Sequence, residues 1–272
     1  MYRQAILATL LSACAFGQGG PPFLTDDPGT PGNRNWEINI GLIGDRNPSE
    51  GVYSIPEFDL NYGVGDRTKF TYRVPLAVHE GRDSGESVAG GLGNSLLGMK
   101  YRFYEDKGRS NPDDSEPSFS LSVYPQLILS NPTNSVARGV AEPAPQFLLP
   151  VETALRSGPV QFVAETGYWF TTKGTSDSWI RGVMLGHEFK KGTDVYLELY
   201  DRSDVGAIRG KPKQRESTLG VGGRKAINRQ GAVLLMGMFG RSIARIMPDN
   251  RQPQWIAYVG MEFLTGKHAS SK

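Results

Sequence analysis

Hydrophobic and polar residues alternate one by one in many short stretches of this chain. In the clearest stretch, residues 254–263, one face is apolar or aromatic and the other is small, polar or charged. The first face holds Trp255, Ala257, Val259, Met261 and Phe263, and the second holds Tyr258, Gly260 and Glu262. Because successive side chains of a β-strand point to opposite faces, this pattern predicts a strand with two different surroundings.

Similar stretches recur from Trp36 onward and predict about twelve strands. These lie near 36–42, 57–62, 69–74, 97–103, 118–129, 146–152, 160–165, 178–189, 195–201, 216–226, 232–240 and 254–263. Their polar faces carry charges deep inside the strands, and their apolar faces are rich in aromatic residues. That combination is typical of a barrel with lipid outside and water inside. The sequence therefore predicts an all-β fold, an antiparallel, up-and-down, transmembrane β-barrel of the outer membrane.

Short and long connections alternate between the predicted strands. The tight ones are Gly63–Arg67, Arg156–Pro159, Lys190–Asp194 and Ile227–Gly231, and the long ones are 75–91, 130–144, 202–215 and 241–253. The segment 104–117 is one oversized turn. Outer-membrane barrels have short periplasmic turns and longer extracellular loops, and an even strand number places both chain ends in the periplasm. We predict a barrel over residues 36–264, followed by a C-terminal tail over 265–272.

The first seventeen residues have the features of a cleaved signal peptide. Arg3 supplies the positive charge, the short apolar run 5–11 follows, and small residues precede the expected cleavage near Gly17. This leader predicts secretion across the inner membrane and a location in the bacterial outer membrane. The alternative is lipidation, because the residues ending at Cys14 also fit a lipobox. Cys14 is the only cysteine, so ordinary cleavage would leave the mature protein without disulfides or cysteine-ligated metals.

Residues 18–35, which we call the arm, are too rich in Pro, Gly and Asn for a helix or strand. We predict an extended periplasmic arm that precedes the barrel. Asp26 and Asp27 are its candidate functional residues, either as part of a plug that reaches into the lumen or as ligands of a divalent cation. The alternative is that these two acids belong to a solvated turn.

The composition excludes several classes of protein. Lys and Arg together number 30 against 28 Asp and Glu, a balance that argues against a nucleic-acid partner. No stretch after the leader approaches the roughly 20 apolar residues that a membrane-spanning helix needs. Mean hydropathy is −0.37, a value that a membrane barrel can have because only alternate strand residues face lipid.

Three segments of the first hundred or so residues resemble a known family. They are the segments 22–28 (PFLTDDP) leading into 36–39 (WEIN), 60–67 (LNYGVGDR) and 91–103 (GLGNSLLGMKYRF). They are similar to the phenol meta-pathway outer-membrane proteins, a bacterial family also labelled simply as transporters. The resemblance implies an outer-membrane barrel, and its name implies transport linked to aromatic catabolism. From the residues and this resemblance we expect a channel or transporter for small solutes.

The inward-facing charges near the start of the barrel are the candidate site. A hairpin register centred on Gly63–Arg67 places Glu57 opposite Arg73, with Asp59 diagonal to Lys69 and Arg73. Lys100 and Arg102 have the same inward parity on the next strand. Such a cluster forms either a constriction that selects solutes or a set of charges that cross-link and fill the interior. Further along, acids prevail among the inward residues and predict a mild cation preference: Glu152, Glu165, Glu188, Glu198 and Glu262.

Catalytic chemistry finds little support in the sequence. His79, His187 and His268 lack metal-ligand spacing, and we expect no metal, no cofactor and no enzymatic activity. The alternatives are a membrane-barrel enzyme acting on lipids, a structural or binding outer-membrane protein with a closed lumen, and a secreted or lipidated β-sandwich that only binds partners. Expected partners are outer-membrane lipid, a small-molecule solute and the barrel-assembly machinery, for which Phe263 is the candidate terminal aromatic.

Overall fold

The computed structural model describes residues 20–47, 50–81, 88–106, 118–131, 135–171, 176–190, 192–206, 214–228, 230–246 and 254–266. Residues 1–19, which include the predicted signal peptide and Cys14, and residues 267–272, which include His268, lie outside the described residues. The described part contains fourteen strand segments, all in one sheet. They are β1 (Trp36–Arg46), β2 (Glu50–Val64), β3 (Thr68–Gly81), β4 (Ala89–Leu92), β5 (Ser95–Asp106), β6 (Ser118–Val123), β7 (Gln126–Leu129), β8 (Gln146–Ser157), β9 (Val160–Phe170), β10 (Ser178–Lys190), β11 (Thr193–Asp204), β12 (Arg215–Ala226), β13 (Val233–Ile246) and β14 (Trp255–Leu264).

The fourteen segments form twelve barrel strands. Segments β4 and β5 both pair with β3, and segments β6 and β7 both pair with β5 and β8, so each pair is one interrupted strand. Consecutive strands pair antiparallel around the sheet, and β1 pairs with β14. This last pairing closes the sheet and leaves no open edge. The predicted closed, antiparallel barrel of about twelve strands is confirmed.

The outer face of the barrel carries the apolar residues that the alternation assigned to lipid. Val259 is 57% exposed, whereas its inward neighbours Tyr258 and Gly260 are buried. Trp36 and Tyr62 pair across the β1–β2 ladder with ring centroids 4.8 Å apart. Exposed apolar surface of this extent suits a hydrocarbon environment, and aromatic rings near strand ends suit its interfaces. Among the described residues no helix is long and apolar enough to cross a membrane.

The interior is less uniformly polar than the alternation predicted. One buried apolar cluster joins Phe23 of the arm to inward-facing wall residues, which are Val163, Met184, Tyr196, Met236, Met238 and Tyr258. A second consists of Ile128, Leu148 and Ile180, with Leu96, Trp169 and Tyr200 packed against it. The sequence does not distinguish these inward apolar residues, because their outward neighbours along the strand are apolar as well. Part of the lumen is therefore a packed core.

The two ends of the barrel differ in their connections. At one end, which we call the turn end, Gly65–Arg67 and Gly158–Pro159 are short turns. At the opposite loop end, several strands continue into segments that the sequence pattern predicts as loops, since β3 reaches Gly81 and β13 reaches Ile246. Between the apolar band and the loop end, a strand satisfies its backbone hydrogen bonds without needing a hydrophobic residue at every second position. The hydrophobic pattern therefore ends before the strand does.

Candidate functional site in the barrel lumen

The arm enters the lumen from the turn end. The amide of Gly63 donates to the Asn35 carbonyl and the amide of Arg34 donates to the Gly63 carbonyl, each at 2.9 Å. A side chain on Gly63 would not fit, because its Cβ would lie 1.8 Å from the Gly32 carbonyl oxygen. Glycine at this position lets the arm leave the wall and turn inward.

Described residues 20–35 contain turns, and residues 20–32 lie inside the barrel, in place of the extended periplasmic arm that we expected. Thr25, Asp27 and Thr30 are almost fully buried, and the Phe23 ring packs edge-on against Tyr196 with centroids 5.3 Å apart. The wall also makes room for the arm at mid-height, where a Cβ on Gly182 would lie 2.1 Å from the Thr25 hydroxyl. The arm therefore fills the lumen from the turn end to about its middle.

Lys100 is the main cation that holds the arm. Its side chain is completely buried, and its Nζ lies 2.9 Å from Asp26 Oδ1 and 3.0 Å from Glu152 Oε2. It also donates a hydrogen bond to the Asp27 carbonyl. Glu152 accepts a further hydrogen bond from the Ser122 hydroxyl at 2.5 Å. A buried ammonium needs such partners, because leaving it unpaired in a place without water is costly.

Two glutamates hold the arm through its backbone. Glu198 Oε1 accepts a hydrogen bond from the Thr25 amide at 2.6 Å, and Glu165 Oε2 accepts one from the Asp26 amide at 3.1 Å. Both glutamates were recognised in the sequence as inward-facing acids, but their contact with the arm was not. Thr25 and Glu198 lie 173 positions apart in the chain. No local pattern relates such residues.

The predicted register of the first hairpin is wrong by two residues. Asp59 lies opposite Arg73, and Glu57 lies opposite Pro75. The reason is the turn, which uses only residues 65–67, with Gly65 in the left-handed region at φ 63°. The charges still meet, because Arg73 lies 3.8 Å from Glu57 and 3.9 Å from Asp59.

The remaining candidates face the lumen in different ways. The Lys69 ammonium lies 5.5 Å and the Lys100 ammonium 4.6 Å from the centroid of the Tyr124 ring, a contact that the sequence pattern did not predict. Arg102 donates to the Asp66 carbonyl at 2.6 Å and pairs with Glu105 at 3.6 Å. Lys69 and Lys100 therefore lie beside the arm, whereas Arg102 braces the turn-end wall.

The histidines of the described residues show no catalytic arrangement. His187 packs against Phe189 on the outer face, with ring centroids 4.6 Å apart, while the adjacent Glu188 pairs with Arg156 at 2.5 Å. His79 lies 3.4 Å from Glu50 near the loop end. Within the described ranges, no group of three or more His, Cys, Asp or Glu residues has metal-binding geometry.

We expect Gly63→Ala to displace the arm at the point where it leaves the wall. The new Cβ meets backbone rather than a flexible side chain, so either the arm or β2 must shift. Overpacking of this kind costs about 1–3 kcal/mol, which corresponds to roughly 5- to 150-fold greater exposure of the arm. The measurement is the rate of maleimide labelling of a Thr25→Cys reporter in the folded protein.

Gly237→Ala is the matched control for this experiment, because a Cβ there would meet nothing closer than the Tyr258 carbonyl oxygen at 3.8 Å. Its labelling rate should equal that of the parent. Equal rates for Gly63→Ala and Gly237→Ala would contradict the arm path described above.

The two acids of the arm have opposite pKa shifts. Burial raises the pKa of Asp27 to about 6, an effect that Asp26 reinforces and that Lys100 and Arg224 only partly offset. Burial also acts to raise the pKa of Asp26, but its pair with Lys100 outweighs this and the pKa is lowered to about 2. One oxygen of Asp27, Oδ2, has no hydrogen-bond partner among the described residues.

Docking of the arm should therefore weaken as the pH rises from about 4 to above 6. The pKa of Asp27 is about 6 in the docked arm, compared with its ordinary value of 3.8. Its favourable contribution to docking is therefore present at low pH and is lost as the pH rises through 6. Asp26 contributes the opposite dependence, but only below about pH 4. We expect faster labelling of the Thr25→Cys reporter near pH 7.5 than near pH 5, after correction for the intrinsic thiol rate. Asp27→Asn should reduce the difference, and an unchanged difference in that variant would contradict the assignment.

Comparison with known proteins gives a fold likeness and no sequence family. No protein-family model matches the chain, and no curated protein matches it. Among solved structures, the COG4313 outer membrane channel from Pseudomonas putida F1 has a TM-score of 0.61 at 12% identity, covering 86% of this chain and 96% of that chain.

Two further structures belong to the same kind of barrel. A KdgM porin has a TM-score of 0.51 at 10% identity, covering 83% of this chain and 98% of that chain. The translocator domain of the autotransporter NalP from Neisseria meningitidis has a TM-score of 0.53 at 9% identity, covering 85% and 89%. At these identities the likeness shows the fold alone. This chain is similar in fold to outer-membrane porins and channels.

Proposed function

We propose that the protein is an outer-membrane channel for small solutes and that its own arm closes it in the resting state. The observation that carries this proposal is a lumen filled partly by a segment that belongs to no strand. Contacts between wall side chains would suffice for a permanently closed barrel. Here the wall instead has glycines at positions 63 and 182, where the arm approaches, and the polar groups of the arm meet Lys100 and two glutamates.

The proposed location follows from the outer face. An exposed apolar band with aromatic residues at its edges requires lipid, and closed barrels are the β-structures that satisfy their backbone within a bilayer. Outer-membrane lipid and the barrel-assembly machinery are accordingly the proposed partners of the protein. We also propose that residues 1–17 are the signal peptide that directs its export. We propose no catalytic role for the residues of the barrel or of the arm.

The resemblance to phenol meta-pathway proteins adds aromatic compounds as a proposed solute class. Support comes from the loop-end half of the lumen, where Trp169 and Tyr200 pack against buried aliphatic side chains. The Arg202 guanidinium lies 4.5 Å from the centre of the Trp169 ring, and Gln146 accepts a hydrogen bond from the Trp169 indole at 2.7 Å. An apolar wall with a few polar groups suits a small aromatic solute better than a strongly hydrated ion.

The test is planar-bilayer conductance of the refolded mature protein, with folding verified by heat-modifiable gel migration. We expect rare openings for the parent and frequent discrete steps after deletion of residues 18–35. Full-length Gly63→Ala should lie between the two, and Gly237→Ala should match the parent. A reversal potential in a salt gradient should show cation preference, because Glu152, Glu165 and Glu198 would then line the opening.

Folded protein that stays silent after the arm is deleted would overturn the channel proposal. It would favour the second candidate, an outer-membrane barrel with a closed lumen that binds partners. The observation behind that candidate is the apolar packing inside the barrel, where Val163, Met184 and Met236 are fully buried.

A further inference from the structure

We infer that the middle of the lumen is a binding site for small zwitterions carrying one amino and one carboxylate group, and that Asp26 occupies this site in the resting state. The inference rests on the proposed function, because it names the solute class of the same lumen. Asp26 contacts two oppositely charged groups of the wall, because its side chain pairs with Lys100 and its backbone amide donates to Glu165. No other residue of the described arm makes both kinds of contact.

The basic part of the site binds the carboxylate of Asp26. Lys100 lies 2.9 Å from it, and Lys69 is the second buried ammonium whose charge acts on it. The two lysines are 0% and 6% exposed and share contact with the Tyr124 ring, whose hydroxyl donates to Thr71 at 2.7 Å. A carboxylate here pairs with the Lys100 ammonium and lies in the field of Lys69, in a place that excludes most water, where charge-assisted hydrogen bonds are strong.

The acidic part of the site binds backbone N–H groups. Glu165 accepts from the Asp26 amide and Glu198 from the Thr25 amide. Glu198 is 1% exposed, and its second oxygen, Oε2, has no hydrogen-bond partner among the described residues. An ammonium group would use these acceptors better than an amide, because it offers three donors and a full positive charge.

The spacing within Asp26 sets the size of the ligand. Its amide nitrogen and its carboxylate carbon are separated by the α and β carbons, as the nitrogen and carboxylate carbon of β-alanine are. The site therefore suits compounds in which one or two carbons separate the amine from the carboxylate. A solute with only a negative charge would meet Glu152, Glu165 and Glu198, and one with only a positive charge would meet Lys69 and Lys100. The mixed wall therefore favours a zwitterion over a solute that carries only one of the two charges.

The test uses the full mature chain with Asp26→Ala, which frees the Lys100 part of the site and leaves only backbone amides, weaker ligands than an ammonium, at Glu165 and Glu198. Isothermal titration of the detergent-folded protein compares β-alanine with propionate and propylamine, which each carry one of the two charges. We expect β-alanine to bind at least tenfold more tightly than either. The parent protein should bind it more weakly than Asp26→Ala, because Asp26 competes for the same groups.

A second variant separates the two halves of the site. Adding Glu165→Gln to Asp26→Ala should weaken β-alanine binding about tenfold without weakening propionate binding, since it removes a negative charge. Glu188→Gln is the matched control, because Glu188 pairs with Arg156 near the turn end and makes no contact with the arm among the described residues. Equal affinities for the three compounds, or no effect of Glu165→Gln, would overturn the inference.

These outcomes are distinct from failure of the proposed function, since titration in detergent does not require conduction. If the barrel conducts after arm deletion but does not distinguish β-alanine from propionate and propylamine, the channel proposal stands and the binding-site inference is wrong. If the barrel distinguishes the three compounds but never conducts, the binding-site inference stands and the channel proposal is wrong.

Discussion

Replacing Val259 by arginine is expected to block insertion of the barrel into a bilayer. Val259 lies near the middle of β14, is 57% exposed, and has Leu42 and Gly237 as its cross-strand neighbours. An arginine on the lipid face costs about 2–4 kcal/mol near the bilayer midplane. The folded fraction after refolding into lipid vesicles, measured by heat-modifiable gel migration, should fall accordingly.

Ile243→Arg is the matched control, because Ile243 is also an exposed aliphatic residue but lies toward the loop end of β13. The same charge near an interface costs about 0–1 kcal/mol, so this variant should insert almost normally. Equal insertion of the two variants would contradict the membrane orientation, and normal insertion of Val259→Arg would argue against a lipid-facing surface altogether.

Replacing Lys100 by methionine is expected to have the second-largest effect. Methionine preserves most of the volume but removes the only ammonium within 4 Å of Asp26 and Glu152 among the described residues. Removing one partner of a buried ion pair typically costs about 3–5 kcal/mol, because the remaining charge is left uncompensated. We expect a lower midpoint of urea unfolding together with release of the arm, seen as faster labelling at Thr25→Cys.

Lys225→Met provides the comparison, because Lys225 is exposed near the turn end of β12. It should leave both the unfolding midpoint and the labelling rate close to those of the parent. If Lys100→Met lowered the midpoint without exposing the arm, Lys100 would stabilise the wall alone and the arm would be held by other contacts.

The fold was predictable because lipid and lumen impose opposite demands on neighbouring strand residues. The alternation around Val259 identified the last strand, and the strand parity of Lys100 identified an inward-facing charge. The register of the first hairpin was not predictable to the same accuracy. The glycines and Asp66 around the turn allow several loop lengths, and each changes the pairing of Asp59 and Arg73.

The arrangement of the arm depends on contacts that leave no local signal. The sequence presented Asp26 as one acid in a Pro- and Gly-rich segment, and a solvated turn explained it equally well. The wall partners of the arm, Lys100, Glu165 and Glu198, come from three separate strands that meet only when the barrel is closed. Parity along each strand identified these side chains as inward-facing but could not give their heights in the lumen.

The pairing of β1 with β14 makes the two ends of the chain into a single seam. Ten residue pairs join Glu37–Arg46 to Trp255–Leu264, so the wall cannot be sealed until β14 is in place beside β1. The arm directly precedes one side of that seam. Until the seam closes, the arm can reach its place sideways through the gap. Once the seam is closed, the same segment can leave only lengthwise through the turn-end mouth, so assembly and opening follow different routes.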